Sequence, residues 1–127
     1  MPMDFDRYKK INDDKVNFGE MPDATVAWKY RNMGCGDGYV IYLKVEDGVI
    51  RDASYTTTGC GFGLVSLAVI TQMVKGKTLE EASRFRPEDI DREFTFPEKR
   101  KNYPQVAWEA MQQAIQAAQG KPLAAGA

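Results

Sequence analysis

From Leu64 to Lys75 the chain reads LVSLAVITQMVK, a run that is apolar on almost every side of a helix. A helix without a polar face has no stable place except the interior of a domain. The rest of the chain must therefore supply layers that cover it. Gly76 follows at once and suits a left-handed helix stop.

The segments before this helix alternate instead of running apolar throughout. Tyr39, Ile41, Leu43 and Val45 share one face of a strand over Tyr39–Glu46. Asp47-Gly48 comes next, two residues that tolerate positive φ, and Val49–Thr57 returns as a second strand of a tight hairpin. Upstream, Val26, Trp28 and Tyr30 alternate within Thr25–Met33 and form another strand. Three strands with short connections predict an antiparallel meander. The N-terminal residues 1–23 are polar, and Asn12, Asp13 and Asp14 restrict any helix there to a turn around Phe5–Lys10. Gly19 and Pro22 mark a loop.

Beyond the central helix the signals are helical. Thr78 and Glu81 have capping-box spacing, which starts a helix at Leu79. Pro87 suits the first turn of another through Ile90. Phe94–Pro97 reads as extended and Glu98–Asn102 as a charged loop. Pro104 opens a last helix whose Ala107, Ala110, Met111, Ala114 and Ala118 form one stripe, and Gly120 stops it. The expected class is α+β: a three-stranded antiparallel sheet with helices packed on one face. The 127 residues suffice for one domain over 1–127, with 1–16 and 120–127 flexible.

The 17 basic and 18 acidic side chains give a net charge of −1, so nothing favours nucleic acid or an anionic membrane as partner. No apolar run approaches the roughly 20 residues a membrane span needs. The acidic start Met1–Asp6 lacks the pattern of a secretory signal, and the expected location is cytoplasmic. There is no histidine. Ser-His and Cys-His nucleophile pairs and imidazole metal ligands are therefore excluded, and no cofactor fingerprint or phosphate loop is present. An enzyme is not expected.

Both cysteines sit in glycine-rich loops leaving strands: Gly34-Cys35-Gly36-Asp37-Gly38 and Gly59-Cys60-Gly61-Phe62-Gly63. Glycine lets backbone approach a bulky inorganic group and leaves N–H groups free to point at it. Cys60 precedes the long helix, whose positive end favours a thiolate. Asp37, two residues from Cys35, leaves an extended chain on the same side, so a thiolate and a carboxylate could share one metal. Cys35 precedes the second strand and Cys60 follows the third, which brings both to one end of the sheet. Turns also produce glycine-flanked cysteines, and two cysteines make half of a Cys₄ shell.

Together, Cys35-Gly36-Asp37, the hairpin, Thr58-Gly59-Cys60-Gly61 and the helix end Val74-Lys75-Gly76-Lys77-Thr78-Leu79-Glu80-Glu81-Ala82 resemble the NifU N-terminal/IscU-type scaffolds of iron–sulfur cluster assembly, from about Asn17 to Ile115. The resemblance implies a transient [2Fe–2S] or [4Fe–4S] cluster, sulfur from a cysteine desulfurase, and transfer to apo iron–sulfur clients. It implies Cys35 and Cys60 as ligands, with Asp37 as the aspartate tied to cluster release. The family's third cysteine, its sulfur acceptor, precedes the final helix after a histidine. Here Asn102 and Tyr103 stand at those places, and Phe96–Lys101 replaces the Pro-Pro-Val-Lys-type segment. Tyr103 reads as an aromatic packed at a helix start, and Lys99, Arg100 and Lys101 as solvated charge.

Three functions follow. A divergent scaffold or carrier could bridge one cluster across a homodimer, because two chains supply four thiolates. A non-catalytic module could dock a desulfurase or client without building clusters. A zinc or mononuclear iron ion could instead be held by Cys35, Asp37, Cys60 and one more ligand.

Overall fold

A computed structural model of the chain describes residues 3–31, 38–58 and 61–120. Three strands, β1 (Val26–Arg31), β2 (Gly38–Glu46) and β3 (Val49–Thr57), form an antiparallel meander in the order β1-β2-β3. The β2–β3 turn is the expected one: Asp47 and Gly48 have φ of 53° and 74°. Trp28 faces Ile41 across β1–β2, and Ile41 faces Tyr55 across β2–β3, so the register sets one apolar face. The outer edge of β3 is covered at two places. Asn17 and Gly19 exchange main-chain hydrogen bonds with Tyr55, and Gly76 and Lys77 do so with Ile50.

Five α-helices accompany the sheet: α1 (Phe5–Asp14), α2 (Gly61–Val74), α3 (Leu79–Ser83), α4 (Pro87–Glu93) and α5 (Asn102–Ala118), with a 3-10 turn at Glu98–Arg100. The buried sheet face of Tyr39, Ile41, Leu43, Ala53 and Tyr55 meets α2 and α5. In α2, Val65, Leu67 and Ile70 are completely buried, and so are the polar Ser66 and Thr71. Their hydroxyls donate back to the helix, Ser66 to the Gly63 carbonyl at 2.8 Å and Thr71 to that of Leu67 at 2.7 Å, which removes the cost of burying them. The stripe of α5 is buried through Ala107, Ala110, Met111, Ala114 and Ile115. The capping box of α3 forms in both directions, 3.0 Å from the Glu81 N–H to the Thr78 hydroxyl and 2.9 Å from the Thr78 N–H to the Glu81 carboxylate.

Helix boundaries depart from the sequence reading, among them the end of α4, which reaches Glu93 instead of Ile90. Helix α1 runs through Asn12, Asp13 and Asp14 to a left-handed stop at Lys15. Local terms hold it there: the Asp4 cap, ion pairs Lys9–Asp13 (2.9 Å) and Lys10–Asp14 (3.1 Å), and burial of Ile11. Helix α2 begins at Gly61 instead of Leu64, and α5 begins at Asn102, two residues before Pro104. The expected charged loop at Glu98–Asn102 is thus a 3-10 turn running into a helix. The expected flexible tail beyond Gly120, the end of the first strand at Asn32 and Met33, and both cysteines lie outside the described residues.

Candidate functional site

The segments carrying the expected ligands open from one end of the sheet. Arg31, the last residue of β1, pairs with Gly38, the first of β2. Gly38 in turn meets Thr58 just beyond β3. The Thr58 N–H donates to the Gly38 carbonyl at 3.3 Å, and the Gly38 N–H to the Thr58 hydroxyl at 3.4 Å. Asp37 is covalently joined to Gly38, and Cys60 to Gly61, the first residue of α2. Cys35, Asp37 and Cys60 themselves lie outside the described residues. Among the described residues no group of three Cys, Asp or Glu could hold a metal ion.

The start of α2 is fixed by close approaches that its glycines allow. A Cβ on Gly63 would stand 3.1 Å from the Tyr39 hydroxyl, so glycine here brings the helix against β2. A Cβ on Gly61 would collide with the Tyr8 hydroxyl and lie 3.0 Å from the Asn12 Oδ1. Sequence reasoning assigned the space beside such glycines to an inorganic group. At Gly61 and Gly63 that space belongs to two tyrosines.

Around the same helix start is an aromatic wall. The Phe62 ring lies 5.0 Å from that of Tyr8 on α1 and 5.8 Å from that of Tyr103 on α5, and the Arg100 guanidinium sits 5.4 Å from its centroid. Tyr103 is therefore the packed aromatic that the sequence suggests. The run Lys99-Arg100-Lys101 is only partly solvated charge, because Arg100 caps Phe62 and Lys101 pairs with Asp91 at 3.0 Å. The sequence reading missed Phe62 and Tyr8 as parts of this end. Phe62 had a local sign, its place within Gly61-Phe62-Gly63, whereas the contact with Tyr8 joins parts of the chain far apart in sequence.

The β1 side of the end is also tied to α5. The Tyr30 hydroxyl donates to the Glu109 carboxylate at 2.5 Å, and the Trp28 indole N–H donates to Gln113 at 2.9 Å. Burial, then the hydrogen bond to Glu109, pushes the Tyr30 phenol up to about 12 from its ordinary 10.0. It is a neutral hydrogen-bond donor at neutral pH and no acid–base group.

Fold and site together define a small α+β domain in which Arg31, Gly38 and Thr58 meet at one sheet end and Gly61 starts a buried helix. The chain belongs to the family of NifU-like N-terminal domains, whose profile matches residues 6–125. A Thermotoga maritima protein named iron–sulfur cluster assembly scaffold protein IscU is 32% identical over 76% of this chain and 81% of its own length. Its Haemophilus influenzae namesake is 39% identical over 64% of this chain and 65% of its own. A mitochondrial iron–sulfur cluster assembly protein 1 of Schizosaccharomyces pombe is 37% identical, and the match spans 47% of that protein. The chain thus spans from about half to four fifths of these relatives.

Two solved structures share the fold. A putative scaffold protein for the SUF system from Fervidobacterium islandicum superposes with a TM-score of 0.66 at 22% identity, over 85% of this chain and 93% of that one. A NifU-like N-terminal protein from Brucella abortus gives 0.65 at 20% identity, over 91% and 94%.

Proposed function

We propose that this chain is an iron–sulfur cluster assembly scaffold or carrier, in which the thiolates of Cys35 and Cys60, with the carboxylate of Asp37, hold the iron of a transient [2Fe–2S] or [4Fe–4S] cluster. The observation that carries the reading is the hydrogen-bonded pair Gly38–Thr58 beside the start of α2. Covalent connection keeps Asp37 and Gly59 one residue from that pair, and Cys60 one residue from the positive end of a 14-residue helix. That end favours thiolate over thiol, and thiolate is the form that binds iron. Family membership and the names of the relatives agree with it.

The cluster is cargo. A cysteine desulfurase supplies its sulfur, apo iron–sulfur proteins receive it, and the setting is the cytoplasm. Tyr103 at the start of α5 supplies no thiol, so one chain contributes two sulfur ligands and a bridging cluster needs a second copy. Asp37 is the oxygen donor in an otherwise thiolate shell and the labile position of the site. Zinc, which also takes thiolate and carboxylate, competes for the same atoms.

Substitution tests the ligand set. Anaerobic reconstitution of Cys60→Ala and Cys35→Ala should give colourless protein, whereas Asp37→Ala should stay coloured and lose its cluster to a chelator several-fold more slowly. Retention of full iron and sulfide by Cys60→Ala would remove the proposal.

A second reading, a module that docks a desulfurase or client without building clusters, is favoured by the aromatic wall. Phe62, Tyr103 and Arg100 pack together beside the start of α2, and Tyr103 stands where the resemblance implies the third cysteine. Calorimetric binding to a desulfurase that survives both cysteine substitutions, in a chain that takes up no iron, selects this reading.

A further inference from the structure

The face of the sheet turned away from the helices has an uneven charge pattern. Its side chains are set by the register. Lys29 lies across from Val40 and Val40 across from Thr56, while Arg31 lies across from Gly38, which bonds to Thr58. These six residues line an open groove of about 360 Å³ at the same sheet end from which the cysteine-bearing loops leave. Its floor is the half-buried Val40, and Thr56 of β3 and Thr58 just beyond that strand line its side.

No described carboxylate lines this groove. Further along the same side of the sheet, charges are matched: Lys44 holds Asp23 at 2.6 Å, and Asp52 meets Lys75 at 3.5 Å. The nearby Glu109 accepts from Tyr30. Lys29 and Arg31 are exposed and have no acidic partner among the described residues. The whole chain is slightly acidic, at −1, so two cations side by side without a described acidic partner are a local arrangement and not a general basic character.

We propose that this groove docks an acidic, extended polypeptide segment of a partner protein, its carboxylates on Lys29 and Arg31 and its apolar side chains on Val40. Guanidinium and ammonium along an edge strand match carboxylates spaced along an extended chain, and arginine can hold one carboxylate through two hydrogen bonds. The apolar floor suits a polypeptide better than a small anion, which needs donors converging from several sides. A second copy of this chain is a poor occupant. In a two-fold contact the same patch would face itself, cation against cation. That the occupant is a donor or acceptor of clusters rests on the function proposed above, because the groove adjoins the cysteine loops; the binding itself does not depend on that function.

The test uses the whole 127-residue chain in its apo form, free of metal. Amide proton–nitrogen spectra are followed while adding a short peptide of alternating Glu and Val, and in parallel a Lys–Val peptide of equal length. The proposal expects shifts concentrated at Lys29, Arg31, Val40, Thr56 and Thr58 with the acidic peptide alone. It also expects affinity to fall about tenfold or more in Lys29→Glu/Arg31→Glu and to weaken as salt is raised. The spectrum of that variant shows whether it is folded, and its cluster reconstitution should match the unaltered chain, so a failure here is separate from a failure of the ligand set. Lys29→Ala/Arg31→Ala, which removes charge without reversing it, should lose binding in between. Absence of binding, equal binding of both peptides, or binding untouched by the substitutions would overturn the proposal. So would a dimer of the unaltered chain that dissociates in Lys29→Glu/Arg31→Glu.

Discussion

Gly61 links the N-terminal helix to the proposed site through a single missing Cβ. Its space is taken by the Tyr8 hydroxyl and by Asn12 Oδ1, and the Tyr8 ring that would have to shift rests on Phe62 at 5.0 Å. Gly61→Ala should therefore destabilise by about 1–3 kcal/mol through overpacking, against a gain of at most ~1 kcal/mol from replacing glycine in a helix. Urea unfolding measures the net loss. Repeating the substitution in Tyr8→Phe removes the colliding oxygen, and a cost that shrinks by 1 kcal/mol or more identifies that contact as the cause. An unchanged cost would place the strain elsewhere. The glycine was visible in the sequence, but its purpose was not. Composition around Cys60 pointed to an inorganic neighbour, whereas the side chain that needs the space comes from the other end of the chain.

Elements were legible where their signals are local. The Asp47-Gly48 turn and the Thr78–Glu81 capping box each depend on a few adjacent residues and occur as read, and the apolar run is a buried helix that starts three residues early. Helix α1 was underestimated because Asn12–Asp14 have poor propensity, while what extends the helix is burial of Ile11 and two ion pairs one turn apart. Its packing on α2 could not be seen from either segment alone. Thr78→Ala should cost about 1 kcal/mol in a thermal or denaturant melt. A pH dependence accompanies it. The Thr78 main-chain N–H, then its hydroxyl, holds the Glu81 carboxylate below its ordinary 4.5. A group depressed in the folded state stabilises above its unfolded value and loses that contribution as pH falls through the folded one. Stability should thus decline on acidification below about pH 4.5 less steeply in Glu81→Gln than in the unaltered chain. Equal slopes would deny the cap this role.

At the scale of the whole molecule, the meander explains why one end of the sheet can serve as a site. Two strand ends and one helix start converge there, held by Gly38–Thr58 on one side and by the Tyr8–Phe62–Tyr103 packing on the other. The outer face of the sheet leaves Lys29 and Arg31 beside it for a partner. The topology and the family were legible from strand order and the two cysteine motifs. The wall at Phe62 and the charge balance of the outer face were not, because both arise between segments distant in sequence.

The most direct test of the account is the iron, acid-labile sulfide and mass of the protein after anaerobic reconstitution, determined on one sample. The protein should be coloured, with equal iron and sulfide, one cluster for each pair of chains, and the mass of a dimer. A colourless monomer whose two thiols both react freely with a thiol reagent would contradict it.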